Sequence, residues 1–133
     1  MSLQRLDHWV MTVADVDATC RFYKTALGCE TIQFGNNRRA LRIGDSPQKI
    51  NLHPASAPFQ PAAQMPQPGS ADLCFITETP MAEVMAHFQH LGISLVEGPV
   101  ERTGTLTPLL SVYIRDPDGN LIEISNALAP YPD

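Results

Sequence analysis

Residues 6–13, Leu6-Asp7-His8-Trp9-Val10-Met11-Thr12-Val13, read with a period of two. They predict a strand with Leu6, His8, Val10 and Thr12 on one face and Asp7, Trp9, Met11 and Val13 on the other. The period then lengthens. Val16, Thr19, Cys20, Tyr23 and Leu27 fall on one side of a helix. Asp15 stands where an N-cap belongs, and Gly28 where a C-terminal cap glycine belongs. Short strands are predicted over 30–34, 38–43 and 48–53, separated by Gly35-Asn36-Asn37 and Gly44-Asp45-Ser46-Pro47, both turn sequences. This half reads βαβββ.

The second half repeats the order. A strand is predicted over 71–77, then Thr79-Pro80 as an N-cap followed by an N1 proline. Val84, Phe88 and Leu91 lie on one helical face, and Gly92 ends the helix. Strands follow over 94–100, 109–115 and 120–125, the last after the turn Asp116-Pro117-Asp118-Gly119; 101–107 reads as a polar loop. Between the halves, the stretch 53–69 holds five prolines, which break helices and cannot donate to a ladder. The reading is therefore module one over 3–53, a linker over 54–69 and module two over 70–126. The fold class is α+β, with two βαβββ modules forming a cup-shaped, eight-stranded mixed sheet and the helices packed outside it.

Register between the halves picks out a set of side chains. Aligning Leu27-Gly28 with Leu91-Gly92 places His8 on Asp72. The last strands each carry a polar residue among apolar ones, His53 in the first half and Glu123 in the second. Two imidazoles and two carboxylates converging from equivalent strands suit Fe, Mn, Co, Ni or Zn. They suit Mg or Ca poorly. Each residue also has a plainer reading. His8 can be a hydrogen-bonded strand histidine. His53 can simply end a strand before Pro54, and Asp72 can be a turn residue after Gly69-Ser70. Glu123 is the sharpest: facing inward beside Ile122 and Ile124, it would be costly unless paired or metal-bound. His87 and His90, at i and i+3, read as solvated residues near a helix C-terminus. Cys20 and Cys74 read as core, and Arg38, Arg39 and Arg102 are candidates for an anionic group on a substrate.

Composition narrows the function classes. Nine basic against fourteen acidic side chains leave a net charge of −5 over 133 residues, which offers no footprint for nucleic acid or for an anionic membrane surface. No apolar run reaches the ~18 residues of a membrane span. Three cysteines without CxxC spacing argue against a disulfide framework. The first eight residues carry no apolar signal-peptide region. A cytoplasmic location follows as the expectation.

Three segments carry a family resemblance: 6–13, then Phe22-Tyr23-Lys24-Thr25-Ala26-Leu27-Gly28, then Tyr113-Ile114-Arg115-Asp116-Pro117-Asp118-Gly119-Asn120-Leu121-Ile122-Glu123-Ile124. They resemble the vicinal oxygen chelate superfamily of glyoxalases, bleomycin-resistance proteins and dioxygenases. Asn51-Leu52-His53, 68–72, 76–78 and 98–104 are similar to glyoxalase domain-containing protein 5 and related bacterial proteins. The resemblance implies His8 as first-strand ligand, Glu123 as last-strand ligand, His53 at a variable fourth-strand position, and Asp72 where the family usually has His. It implies a divalent-metal-dependent enzyme acting on a small oxygenated substrate chelated through neighbouring oxygens. Glu123 or Asp72 would serve as the base. Lyase or isomerase chemistry is favoured over ring cleavage because the second His is absent. The alternative is a metal-free binding protein of the bleomycin-resistance type. Members of this length imply a homodimer.

Overall fold

The computed structural model describes all 133 residues. Its elements run β1 (His8–Val13), α1 (Val16–Leu27), β2 (Glu30–Phe34), β3 (Arg38–Arg42), β4 (Lys49–Pro54), β5 (Asp72–Ile76), α2 (Met81–His90), β6 (Glu97–Thr103), β7 (Pro108–Arg115) and β8 (Leu121–Ala127). Hydrogen bonding divides the eight strands into two four-stranded mixed sheets, ordered β1-β4-β3-β2 and β5-β8-β7-β6. The chain forms two compact units: residues 1–70 with the turn 117–119, and residues 71–116 with 120–133. No helix is long and apolar enough to cross a membrane.

In the first unit, β1 pairs with β4 in parallel and the other neighbours are antiparallel. Asp15 caps α1, its side chain accepting from the Ala18 N–H at 3.1 Å. Gly28 closes the helix with φ 69°, and its N–H reaches the Lys24 carbonyl. Thr19, Cys20, Tyr23 and Ala26 are the buried residues of α1, and Met11, Val13, Leu41, Ile50 and Leu52 are buried in the sheet. The turn after β7 is tied to this unit. Asp118 Oδ1 accepts from the Ala14 N–H at 3.1 Å, and a Cβ on Gly69 (φ +82°) would stand 2.7 Å from the Asp118 carbonyl oxygen.

The second unit has the same topology, with β5 parallel to β8. Met81, Val84 and Phe88 of α2 are buried, as are Val112, Ile114, Ile122 and Ile124. Asp116 and Asn120 brace the β7–β8 turn. Asn120 donates from its backbone and side chain to the Asp116 carboxylate, and its own Oδ1 accepts from Ala71 N–H at 2.9 Å.

Two boundaries differ from the sequence reading. Pro80, not Thr79, is the N-cap of α2; the Thr79 N–H is instead held by Thr77 Oγ1 at 3.1 Å. The strand predicted over 94–100 is shifted to Glu97–Thr103, so part of the predicted loop 101–107 is strand. Within β6 the pairing with β7 changes register between Glu97 and Val100. Gly98 approaches the Ser111 carbonyl so closely that a Cβ would lie 2.5 Å away, and beyond it the ladder resumes at Val100.

Candidate functional site

Each sheet has one face toward its helix and one face away from it, and the polar side chains gather on the latter. In the first unit, Ala40 pairs with Asn51 and Arg39 with Leu52, so Arg38 stands beside His53. Phe34 pairs with Arg38, and Thr12 with His53. Arg38 Nη2 donates to His53 Nε2 at 3.3 Å. The guanidinium carbon lies 5.1 Å from the Phe34 ring centre and 4.6 Å from that of Phe59. Phe59, on the proline-rich segment, also meets His53 edge to face at 5.3 Å. His53 is buried at 3 % exposure. Burial, and then the Arg38 charge, hold its pKa below the ordinary value, so the ring is neutral at pH 7.

His8 lies on the same face of the same strand pair, but its register partner is Lys49, four residues before His53. That separation is about 13 Å along the strands. The structure does not bring the two histidines together. His53, expected as a metal ligand, is the acceptor of a guanidinium instead, and a fixed cation there opposes a metal ion. His8 is exposed and its Nδ1 lies 2.8 Å from Asp7 Oδ2. The hydrogen bond to His8 holds the Asp7 carboxyl below its usual range, with Arg5 adding to the effect.

In the second unit, Cys74 pairs with Glu123, Tyr113 with Glu123, and Ser111 with Ser125. Glu123 is half-buried. Its Oε2 accepts from Ser111 Oγ at 2.6 Å and from Ser125 Oγ at 3.3 Å, and the two hydroxyls are 2.6 Å apart. Asp72 pairs with Leu121, two residues before Glu123 on the same face, so the two carboxylates are diagonal neighbours. Cys74 is exposed, but its sulfur sits 3.2 Å from Ser125 Oγ. Partial desolvation, then Glu123 and Asp72, raise its thiol pKa despite the Ser125 hydrogen bond. Arg102 Nε donates to the Tyr113 hydroxyl at 2.9 Å, and its Nη2 lies 3.2 Å from Glu97. Burial and Glu123 together outweigh Arg102 and raise the Tyr113 pKa. Arg39 points to the helix side, where it pairs with Asp17.

The registers also correct the match between halves. His8 faces Lys49 and Asp72 faces Leu121. Two residues on, the counterpart of Glu123 is therefore Asn51, not His53. Asn51 is buried, and its Oδ1 has no hydrogen-bond partner. Sequence reasoning missed it, and missed Ser111. A serine of the same parity as Tyr113, inside the apolar run 109–114, was the available signal for the latter.

Residues 5–124 match the family model of the Glyoxalase/Bleomycin resistance protein/Dioxygenase superfamily. The chain belongs to this superfamily. It is 55% identical over 125 residues to "Virulence protein STM3117" of Salmonella typhimurium, covering 94% of this chain and 85% of that protein. It is 52% identical over 126 residues to "Glyoxalase domain-containing protein RDO1" of Mycosarcoma maydis, covering 95% and 70% respectively. The crystal structure of the Salmonella protein superposes with a TM-score of 0.92 at 54% identity, covering 96% of this chain and 100% of that one. Superfamily members typically use divalent metals. No group of three or more His, Cys, Asp or Glu side chains is arranged here to hold a metal ion. The donor chemistry fits such an ion in part. Asp72 and Glu123 supply two carboxylates on one face. With Asp7 at Nδ1, His8 keeps Nε2 as its ligand atom, as metal-bound imidazoles do. His53 does not fit.

Proposed function

We propose that the chain is a divalent-metal-dependent enzyme acting on a small oxygenated compound, with His8, Asp72 and Glu123 as the ligands, taken by their family positions. The observation that carries this reading is Glu123: a half-buried carboxylate held by two serine hydroxyls, with Asp72 diagonal to it. The ion, when bound, would polarise neighbouring substrate oxygens as a Lewis acid. Ser111 and Ser125 fix one oxygen of Glu123, which orients the carboxylate for a ligand or base role. The Tyr113 hydroxyl, protonated at pH 7 and polarised by Arg102, is a proton donor on the same face. Lyase or isomerase chemistry is preferred to ring cleavage, since Asp72 replaces the second His of the oxygen-activating set.

A second reading, metal-free binding of a small molecule, is favoured by one observation. The polar cluster around Arg38 is held by a hydrogen bond to His53 and by two phenyl faces, and it centres on a cation rather than on metal ligands. Elemental analysis of untagged protein purified without chelator separates the two. Near-stoichiometric Fe, Mn, Co, Ni or Zn that falls in Glu123→Gln and His8→Ala supports the enzyme; protein that neither retains nor rebinds any of these ions rejects it.

The proposal includes a cytoplasmic homodimer built on the two modules. Val10 and Ile76, 42% and 57% exposed on the sheet faces away from the helices, are apolar surface that a second copy would cover. All three cysteines are free, as in a reducing compartment. A concentration-independent monomer in light scattering would reject the dimer.

A further inference from the structure

The sheet of the first unit leaves three neighbouring polar atoms unsatisfied. Arg38 Nε, His53 Nδ1 and Asn51 Oδ1 are each buried and without a hydrogen-bond partner. Buried polar groups are nearly always paired, so three exceptions on one face need a cause. They belong together: Arg38 is bonded to His53, and Asn51 lies two residues before His53 in β4, opposite the small side chain of Ala40.

Their donor and acceptor roles are fixed. Arg38 donates to His53 Nε2, so the neutral ring carries its proton on Nδ1. The cluster therefore offers two N–H donors, one of them on a cation, and one acceptor at Asn51. The other arginines of this sheet have carboxylate partners, Arg39 in Asp17 and Arg42 in Glu30. Arg38 has His53 and two phenyl faces. Those faces shield part of the guanidinium from water without neutralising it. A guanidinium with a buried, unpaired Nε–H and no carboxylate partner is a binding group for an oxyanion.

We propose that this cluster binds the acid end of a small hydroxycarboxylic acid. Arg38 Nε and His53 Nδ1 donate to the carboxylate, and Asn51 Oδ1 accepts from the hydroxyl. Phe59 lies over both Arg38 and His53, so the ligand displaces its ring on binding. Inorganic phosphate shares the negative charge and, as monoanion and dianion alike, keeps a P–OH that can donate to Asn51; it is the competing oxyanion, disfavoured by the second charge that it brings beside the Asn51 oxygen. The inference deepens the proposed function: it rests on the reading of a small oxygenated substrate and names that substrate's charged end, and it does not rest on the metal.

The test uses the full chain, with ¹⁵N-labelled histidine and EDTA present. The His53 ring signals, assigned with His53→Gln, are followed while sodium glycolate, acetate or inorganic phosphate is added. Glycolate is expected to give a saturable shift below about 50 mM, with acetate about tenfold weaker for want of the hydroxyl. Phosphate is expected to give a weaker shift than glycolate at equal concentration. Arg38→Gln should abolish the shift and Arg38→Lys, which keeps the charge and guards against a folding defect, should weaken it about tenfold. Asn51→Ala should bring glycolate down to the level of acetate. No saturable response to glycolate, an undiminished response in both Arg38 variants, or a preference for phosphate overturns the assignment. Because EDTA removes divalent ions, failure of the metal reading shows only in the elemental analysis, and failure of this one only in the titration.

Discussion

The two sheets share strand order and pairing, yet the faces they turn away from their helices carry opposite chemistry. Across the first run Phe34, Arg38, His53 and Thr12, with a cation at the centre and unpaired donors around it. Across the second run Tyr113, Glu123 and Cys74, with an anion at the centre whose oxygen is already bonded to two hydroxyls. The helix sides did not diverge in this way. Tyr23 and Phe88 are the large buried aromatics of α1 and α2, at 0% and 2% exposure. Packing fixes one side of each unit, and the other is free to specialise: a guanidinium stands at the centre of that face in the first unit and a carboxylate in the second.

The likeness of the helix sides is the first thing to break. Tyr23→Ala and Phe88→Ala should each destabilise the protein by about 3–5 kcal/mol, since each empties the centre of a core. Chemical denaturation measures both. A loss below about 1 kcal/mol for either variant would mean that the two cores are not equivalent.

Next comes the network around Glu123. Ser111 is fully buried and bonds both Glu123 and Ser125. Ser111→Ala should cost about 1–3 kcal/mol and lower metal occupancy, because Glu123 loses its shorter bond. Unchanged stability would show that Ser125 alone can orient the carboxylate.

Much of this arrangement was legible in the sequence. Asp15 and Gly28 bracket α1 because a cap needs a short acceptor and a left-handed residue, and both requirements are local. His8 and Asp72 fall on first strands, and Glu123 on a last strand, because alternation fixes the face. Alternation cannot choose between Asn51 and His53, which share one face of β4. Only the pairing of β1 with β4 decides which of them matches Glu123. Nor can it foresee the change of register within β6, where Gly98 lies close to a strand that comes later in the chain.

Asn51→Asp sharpens the comparison directly, since it gives the first sheet a carboxylate where the second has Glu123. Without metal the buried charge should cost about 1–2 kcal/mol. Added Mn(II) or Zn(II) should then raise the Tm of the variant more than that of the parent. An equal gain in both would separate Asn51 from the metal.

The pH response should also divide between the faces. His53 is neutral in the fold, with a pKa below the ordinary value of 6.5 that it regains on unfolding. Its contribution is therefore intact above about pH 6.5 and is lost as the pH falls toward the lower folded-state pKa. Thermal melts at pH 7.5 and 5.5 should show a smaller difference in His53→Gln than in the parent. An identical difference would place the acid sensitivity elsewhere.

The smallest effect should come from Arg39, the immediate neighbour of Arg38. Strand alternation turns it to the helix side, where it pairs with Asp17 in the first turn of α1. The Asp17 side chain is 66% exposed, so water screens the pair and much of its attraction is spent on ordering two mobile side chains. Arg39→Gln should cost no more than about 1 kcal/mol. It should also leave the glycolate response of His53 where it is in the parent, while Arg38→Gln abolishes it. Two adjacent arginines of equal charge would then differ by an entire binding function, because one faces a carboxylate in water and the other a histidine between two phenyl rings. If Arg39→Gln weakened glycolate as much as Arg38→Gln does, long-range charge rather than the buried geometry of the Arg38 cluster would account for the binding.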